Sequence, residues 1–102
     1  MNLRQYQQWS KSTAIYPTKY AIEYCSLGLT SEAGEVAGKI KKWIRDGTPL
    51  NEVKSEIGDC LWCCARLADE CGWDLQEILE ENVKKLEDRK KRNVISGSGD
   101  RR

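Results

Sequence analysis

The chain contains only two prolines, Pro17 and Pro49, and the residues between them follow a helical beat. A proline inside a helix removes a backbone hydrogen bond and clashes with the preceding turn, so the pair brackets a helix. Within that bracket the stretch YAIEYCSLGLTSEAGEVAGKIKKWIRDGTP places Ile22, Leu29, Val36, Ile40, Trp43 and Ile44 at helical spacing. The sequence RDGTP then gives a basic charge in the last turn, a glycine to end the helix and a proline just beyond it.

Two more segments carry the same period. LNEVKSEIGDCLWCCARLADECGWD puts Val53, Ile57, Cys60, Leu61, Cys64, Leu67, Ala68 and Cys71 on one stripe, with Asn51 as N-cap and Gly72 as stop. DLQEILEENVKKLEDRKKR begins on Asp74 as a cap, with Glu77 closing a capping box, and runs through Leu75, Ile78, Leu79, Val83 and Leu86. Residues 2 to 14 read as a short first helix. No alternating β-branched run and no Asn-Gly hairpin signal occurs. The expectation is an all-α antiparallel four-helix bundle: one domain over residues 1–95, then a Gly/Ser-rich tail over 96–102.

At 102 residues the core is small, and assembly with other copies is a natural supplement. The net charge of +1 shows no global polarity toward a nucleic-acid polymer, but the charge is unevenly spread. Residues 50–82 carry nine acids against two bases, and residues 84–102 carry eight bases against three acids. An acidic middle beside a basic end suits a cation and the anion riding on it. No apolar run is long enough to span a membrane and the start lacks a signal-peptide pattern, so a cytoplasmic protein is expected. Five cysteines, an odd number, argue against a disulfide framework.

The unusual feature is a set of acids beside the apolar stripes. Glu32 and Glu35 are three apart on the second helix, as are Glu56 and Asp59 on the third, so each pair lies on one face. If these helices form a hairpin about RDGTP, a rise of ~1.5 Å per residue brings the pairs to nearly one level. One such pair alone is ordinarily solvated surface, and Lys39 is spaced to pair with Glu35. Four facing carboxylates would repel, whereas a divalent cation would hold them together. All-oxygen ligands select Mg²⁺, or Mn²⁺ as a substitute, before Zn²⁺. The chain has no histidine, which excludes a Glu-x-x-His di-iron bundle. Glycines at 34, 38 and 58 beside the acids point to close approach by something.

GLTSEAGEVAGKIKKWIRDG, followed by SEIGDCLWCCARLADECGWDLQEILEENVKKLEDR and SGSGD, resembles the MazG-like all-α nucleoside triphosphate pyrophosphohydrolases from about Tyr20 onward. That family's pattern is E-E-x-x-E, a spacer, then E-x-x-D; here Ser31 stands where the first glutamate is usual. The resemblance implies Glu32, Glu35, Glu56 and Asp59 as Mg²⁺ ligands, with Glu32 or Glu35 orienting the attacking water. Asn82, Lys85, Leu86 and Arg89 match N-x-x-K-L-x-x-R, which implies that Asn82, Lys85 and Arg89, together with Lys39, bind the substrate. Without that match, a solvated basic helix end is the plainer reading of Lys85 and Arg89. The SGSGD tail is similar to a segment that closes near the nucleotide.

The implied function is Mg²⁺-dependent conversion of a (d)NTP to (d)NMP and pyrophosphate, a nucleotide-pool house-cleaning activity with deoxynucleotides favoured. The implied assembly is a homodimer or homotetramer, with no nucleic-acid polymer or membrane as partner. Related activities on phosphoribosyl-ATP or dUTP, and a non-catalytic helical interaction module, are the alternatives. Cys60 and Cys64 read as small hydrophobes rather than as ligands, and Cys63, four after Asp59, is expected to border the site. Trp9, Trp43, Trp62 and Trp73, with Tyr16, Tyr20 and Tyr24, are candidates for stacking on a base or for subunit packing.

Overall fold

A computed structural model describes all residues, 1–102, as four α-helices and no strand. They are α1 (Leu3–Ser10), α2 (Ala21–Asp46), α3 (Val53–Glu70) and α4 (Leu75–Lys91). Short 3-10 turns at Lys11–Thr13, Thr18–Tyr20 and Leu50–Glu52 lie in the connections. No helix is long and apolar enough to cross a membrane.

The stops of α2 and α3 fall where the sequence puts them, whereas α1 ends at Ser10 and gives way to a 3-10 turn before residue 14. Gly47 ends α2 at φ 70°, and Gly72 follows α3 at φ 76°, both in the left-handed region that glycine enters without steric cost. Asp74 caps α4 by accepting from the Gln76 N–H at 2.9 Å. It pairs with Arg4 of α1 rather than closing a box with Glu77. A capping box does form, but on α1, where Asn2 and Gln5 exchange two 2.8 Å bonds. Asn51 is not the cap of α3. Pro49 starts a 3-10 turn whose carbonyls, from Leu50 and Asn51, take the Val53 N–H, so no side-chain cap is used.

The α2–α3 hairpin is the main packing unit, and α4 leans on α1 and α3 instead of lying along α2. The closed bundle expected from the sequence is therefore not completed within one chain. Its radius of gyration is 16.3 Å, against about 13 Å for a compact chain of this length. Its accessible surface is 7581 Å², against roughly 5,900 Å² for a compact monomer of this mass. The apolar stripe of α3 splits accordingly: Val53 and Ala68 are buried, but Ile57 and Leu61 are exposed, along with Ile78, Leu79, Val83 and Leu86 of α4. The glycines at 34, 38 and 58 meet nothing of their own chain, since an added Cβ there would find no atom within 4 Å. Gly28 is the glycine where α2 and α3 do approach, its added Cβ standing 3.4 Å from Cys63 Sγ.

Two polar residues that the apolar period passes over hold α1 in place. Gln7, buried, donates to the Trp73 carbonyl and accepts from the Leu75 N–H, each at 2.8 Å, suturing α1 to the α3–α4 turn. Arg66, 1% exposed, donates to Ser10 Oγ at 3.2 Å and pairs with Asp69 at 2.9 Å and Glu70 at 3.3 Å. Beside them Ala65, Ala68 and Leu75 pack with Leu3 and Tyr6 as the small apolar core. A charge this deeply placed is tolerable because every donor direction finds an oxygen.

Candidate active site

The hairpin brings Glu32 of α2 over Glu56 and Asp59 of α3, with one carboxylate oxygen from each lying within 4.8 Å of the others. Glu32 and Glu56 are half-buried and Asp59 is exposed. Partial burial and the negative charges of Asp59 and Glu56 hold the Glu32 carboxyl above the usual carboxylate range. Glu35 does not join the cluster. It is exposed, yet near enough for its charge to add to the repulsion on Glu32.

Three converging carboxylates and no histidine form a donor set for a hard divalent cation, which would relieve the repulsion that lifts Glu32. Cys63 is buried behind the acids, and burial together with the Glu32 charge pushes its thiol up to about 11. It therefore stays protonated and offers no thiolate to a softer metal. All five cysteines are free, and Cys60 and Cys64 are half-buried side chains of α3.

A cleft of about 550 Å³ opens beside the cluster, its lining made of Glu32, Asp59 and Ser31 together with Tyr16, Tyr24 and Trp62. The aromatic wall is built by the α1–α2 connection folding onto α3. The Trp62 indole donates to Thr13 Oγ1 at 2.8 Å, and the Tyr16 hydroxyl donates to Glu70 at 2.6 Å while accepting from Arg66 at 3.2 Å. Thr13, expected at the end of the first helix, instead lies in the 3-10 turn after α1, and Ile15 follows it in the connection; neither was foreseen as a lining residue. Arg66 did carry a signal, with acids three and four residues on at Asp69 and Glu70.

The expected substrate-binding residues are elsewhere in this chain. Lys39 lies 4.0 Å from Glu52 rather than pairing with Glu35. Asn82 is exposed on α4. Lys85 binds the Asp100 carboxylate at 2.7 Å, and buried Arg89 donates to the Asp100 carbonyl and reaches its carboxylate at 3.4 Å. None of these four lines the cleft. The tail folds back on α4, with Arg102 donating to the carbonyls of Val94, Ile95 and Gly99, so it does not cover the acids.

Residues 21–94, which hold both acid pairs and the α4 basic residues, match the MazG nucleotide pyrophosphohydrolase domain. The chain belongs to the MazG family. A curated relative, the Gene 37 protein of Mycobacterium phage L5, is 37% identical over 114 residues, covering 100% of each chain. No solved structure matches the chain. The MazG match begins at Ala21, so α1 and the connection that carries Tyr16 stand outside it, while Tyr24 and Trp62 lie inside.

Proposed function

We propose that the chain is a Mg²⁺-dependent nucleoside triphosphate pyrophosphohydrolase that converts a (d)NTP to (d)NMP and pyrophosphate in nucleotide-pool house-cleaning. The observation that carries this reading is the shared cavity: Glu32 and Asp59, two of the three converging acids, line the same cleft as Tyr16, Tyr24 and Trp62. A nucleotide has two unlike ends, and the lining of this cleft combines acids that suit metal-bound phosphates with rings that suit a base.

Glu32, Glu56 and Asp59 would hold Mg²⁺, with Mn²⁺ as a substitute, and the ion would neutralise charge on the phosphate oxygens. Glu35, beside the cluster but outside it, is the carboxylate left to orient a water. The new bond runs from the water oxygen to the α-phosphorus, and the α–β bridge is the bond that breaks, releasing pyrophosphate. Lys85 and Arg89 suit the leaving pyrophosphate, lysine as a point charge and arginine as a fork, with Asn82 and Lys39 as further substrate contacts. The basic residues and the cleft meet when α4 is drawn against the hairpin in a homodimer or homotetramer. The roughly 1,700 Å² of surface beyond that of a compact monomer is the scale an obligate interface takes from each partner.

The deciding measurement is Mg²⁺-dependent pyrophosphate release from a panel of ribo- and deoxynucleoside triphosphates, phosphoribosyl-ATP included. Turnover of the deoxynucleotides is expected, and Glu56→Gln or Asp59→Asn abolishes it while the helical circular-dichroism signal persists. Undiminished turnover in either variant refutes the site.

A further inference from the structure

We propose that the C-terminal tail is an internal competitor: Asp100 takes the place of a phosphate group on Lys85 and Arg89, and a polyphosphate anion exchanges with it and releases the tail. The inference rests on the reading of Lys85 and Arg89 as polyphosphate contacts and adds to it a device that regulates access to them.

The tail returns to α4 because its backbone reverses sharply. Asn93, at φ 58°, turns the chain off the helix, and asparagine is among the few residues that tolerate this conformation. Gly99, at φ 87°, turns it again at no steric cost. Nothing in SGSGDRR, residues 96–102, is apolar, so the segment has no hydrophobic anchor. What holds it is polar. Arg102 donates to the carbonyls of Val94 and Ile95 at 3.1 and 3.0 Å, which closes the turn upon itself. The links to α4 are the Arg102 carbonyl, which accepts from Arg92, and Asp100.

Asp100 is the link that imitates a ligand. Its Oδ1 lies 2.7 Å from Lys85 Nζ and 3.4 Å from Arg89 Nη2, and its carbonyl accepts a further bond from the same guanidinium nitrogen. An oxygen shared between an ammonium and a guanidinium is how such a pair holds a phosphate oxygen. The Arg89 side chain is 6% exposed and all its hydrogen bonds go to Asp100, so release of the tail leaves a guanidinium in need of another acceptor. The Asp100 side chain, by contrast, is 79% exposed and open to replacement. A polyphosphate brings more negative charge than one carboxylate, and further oxygens for the donors Arg89 leaves unused. Tethering gives Asp100 a high effective concentration, which sets a threshold that simple salt anions do not pass.

The test is two-dimensional amide NMR of the full chain in EDTA, following Gly97 and Gly99 as pyrophosphate or dATP is added, with calorimetry for the dissociation constants. EDTA keeps the acid cluster free of metal and prevents turnover. Both ligands are expected to move the two glycines to sharp random-coil positions, whereas sodium chloride at matched ionic strength is not. Asp100→Asn is expected to bind pyrophosphate about tenfold tighter, the factor by which a tail docked roughly nine-tenths of the time reduces apparent affinity. Lys85→Gln is expected to weaken pyrophosphate by about tenfold, and Lys90→Gln, an exposed position on the same helix, to leave it unchanged. Glycine amides left unmoved by either ligand, chloride as effective as pyrophosphate, equal losses in the two lysine variants, or an Asp100→Asn variant that binds no tighter overturns the proposal. Tail release in EDTA without pyrophosphate production from triphosphates in Mg²⁺ refutes the enzymatic reading alone. Turnover by a chain whose tail stays docked refutes this one alone.

Discussion

Arg66 Nη1 donates to Ser10 Oγ at 3.2 Å, and through that bond a guanidinium on α3 holds the end of α1 against the hairpin. The same side chain reaches Tyr16 Oη, Asp69 and Glu70, so one residue joins the first helix to the cleft wall. Truncating it removes the charge partner of Asp69 and Glu70 and the donor to the buried Ser10 hydroxyl. Arg66→Ala is expected to lower unfolding free energy by about 2–4 kcal/mol in urea denaturation, and Ser10→Ala by about 1 kcal/mol.

The three acids repel one another when no cation is present. Neutralising one, as in Glu32→Gln, should therefore leave the melting temperature of the metal-free protein unchanged or higher. Mg²⁺ at a hundredfold excess over its dissociation constant should stabilise the unmodified protein by ~2.7 kcal/mol. In Glu32→Gln, Glu56→Gln or Asp59→Asn that gain should disappear. A variant that is destabilised without metal and still stabilised by Mg²⁺ would contradict the cluster as the binding site.

The hydrogen bond from Lys85 and its charge, with Arg89 nearby, hold the Asp100 carboxyl below the usual carboxylate range. An acid whose folded pKa is depressed stabilises the docked tail above its unfolded pKa and loses that effect as pH falls through the folded value. Hydrogen exchange of residues 96–102 should thus show the tail docked at pH 6 and released only as pH falls below the usual carboxylate range. Lys85→Ala should move that release to higher pH.

The thiols should fall into two classes. Cys25 and Cys63 are buried and their thiols pushed up by that burial, while Cys60, Cys64 and Cys71 are half-buried. A thiol-reactive chromophore at pH 8 is expected to label the second group first and to reach Cys25 and Cys63 only on unfolding. Rapid labelling of all five would show that α2 and α3 separate readily at Gly28.

Exposed Leu61 on α3 and Leu79 on α4 line one apolar groove with Leu3 and Tyr6. Light scattering is expected to find a dimer or larger assembly, and Leu61→Asp with Leu79→Asp to shift it toward monomer. A monomeric parent protein would refute the proposed assembly.

The helices themselves were legible because their stops depend on local chemistry: Gly47 and Gly72 need a left-handed backbone, and Asp74 has an N–H within reach two residues on. Their burial was less so. Period alone set Ile57 and Leu61 inside and passed over Gln7, since a buried polar residue is identified by its partners, and those of Gln7 lie more than sixty positions away; Arg66 had a local signal in Asp69 and Glu70, but not the Ser10 contact that marks its burial. The acid spacing located Glu32, Glu56 and Asp59 at one level, but spacing along a helix does not say which member of a pair turns toward the partner helix, and Glu35 stays outside the cluster. The aromatic wall was legible only as a set of candidate rings, because its shape is fixed by side-chain bonds of Thr13 and Tyr16 in a connection with no period to read.

The departure of α4 from the hairpin has a further consequence for how the protein persists in dilute solution. If the proposed assembly covers Ile57, Leu61, Val83 and Leu86, which the single chain leaves exposed, part of the fold's stability comes from mass action. The melting temperature would then have no single value. It would rise with the amount of protein present, and copy number in the cell would be one of the variables that determine whether the chain is folded at all.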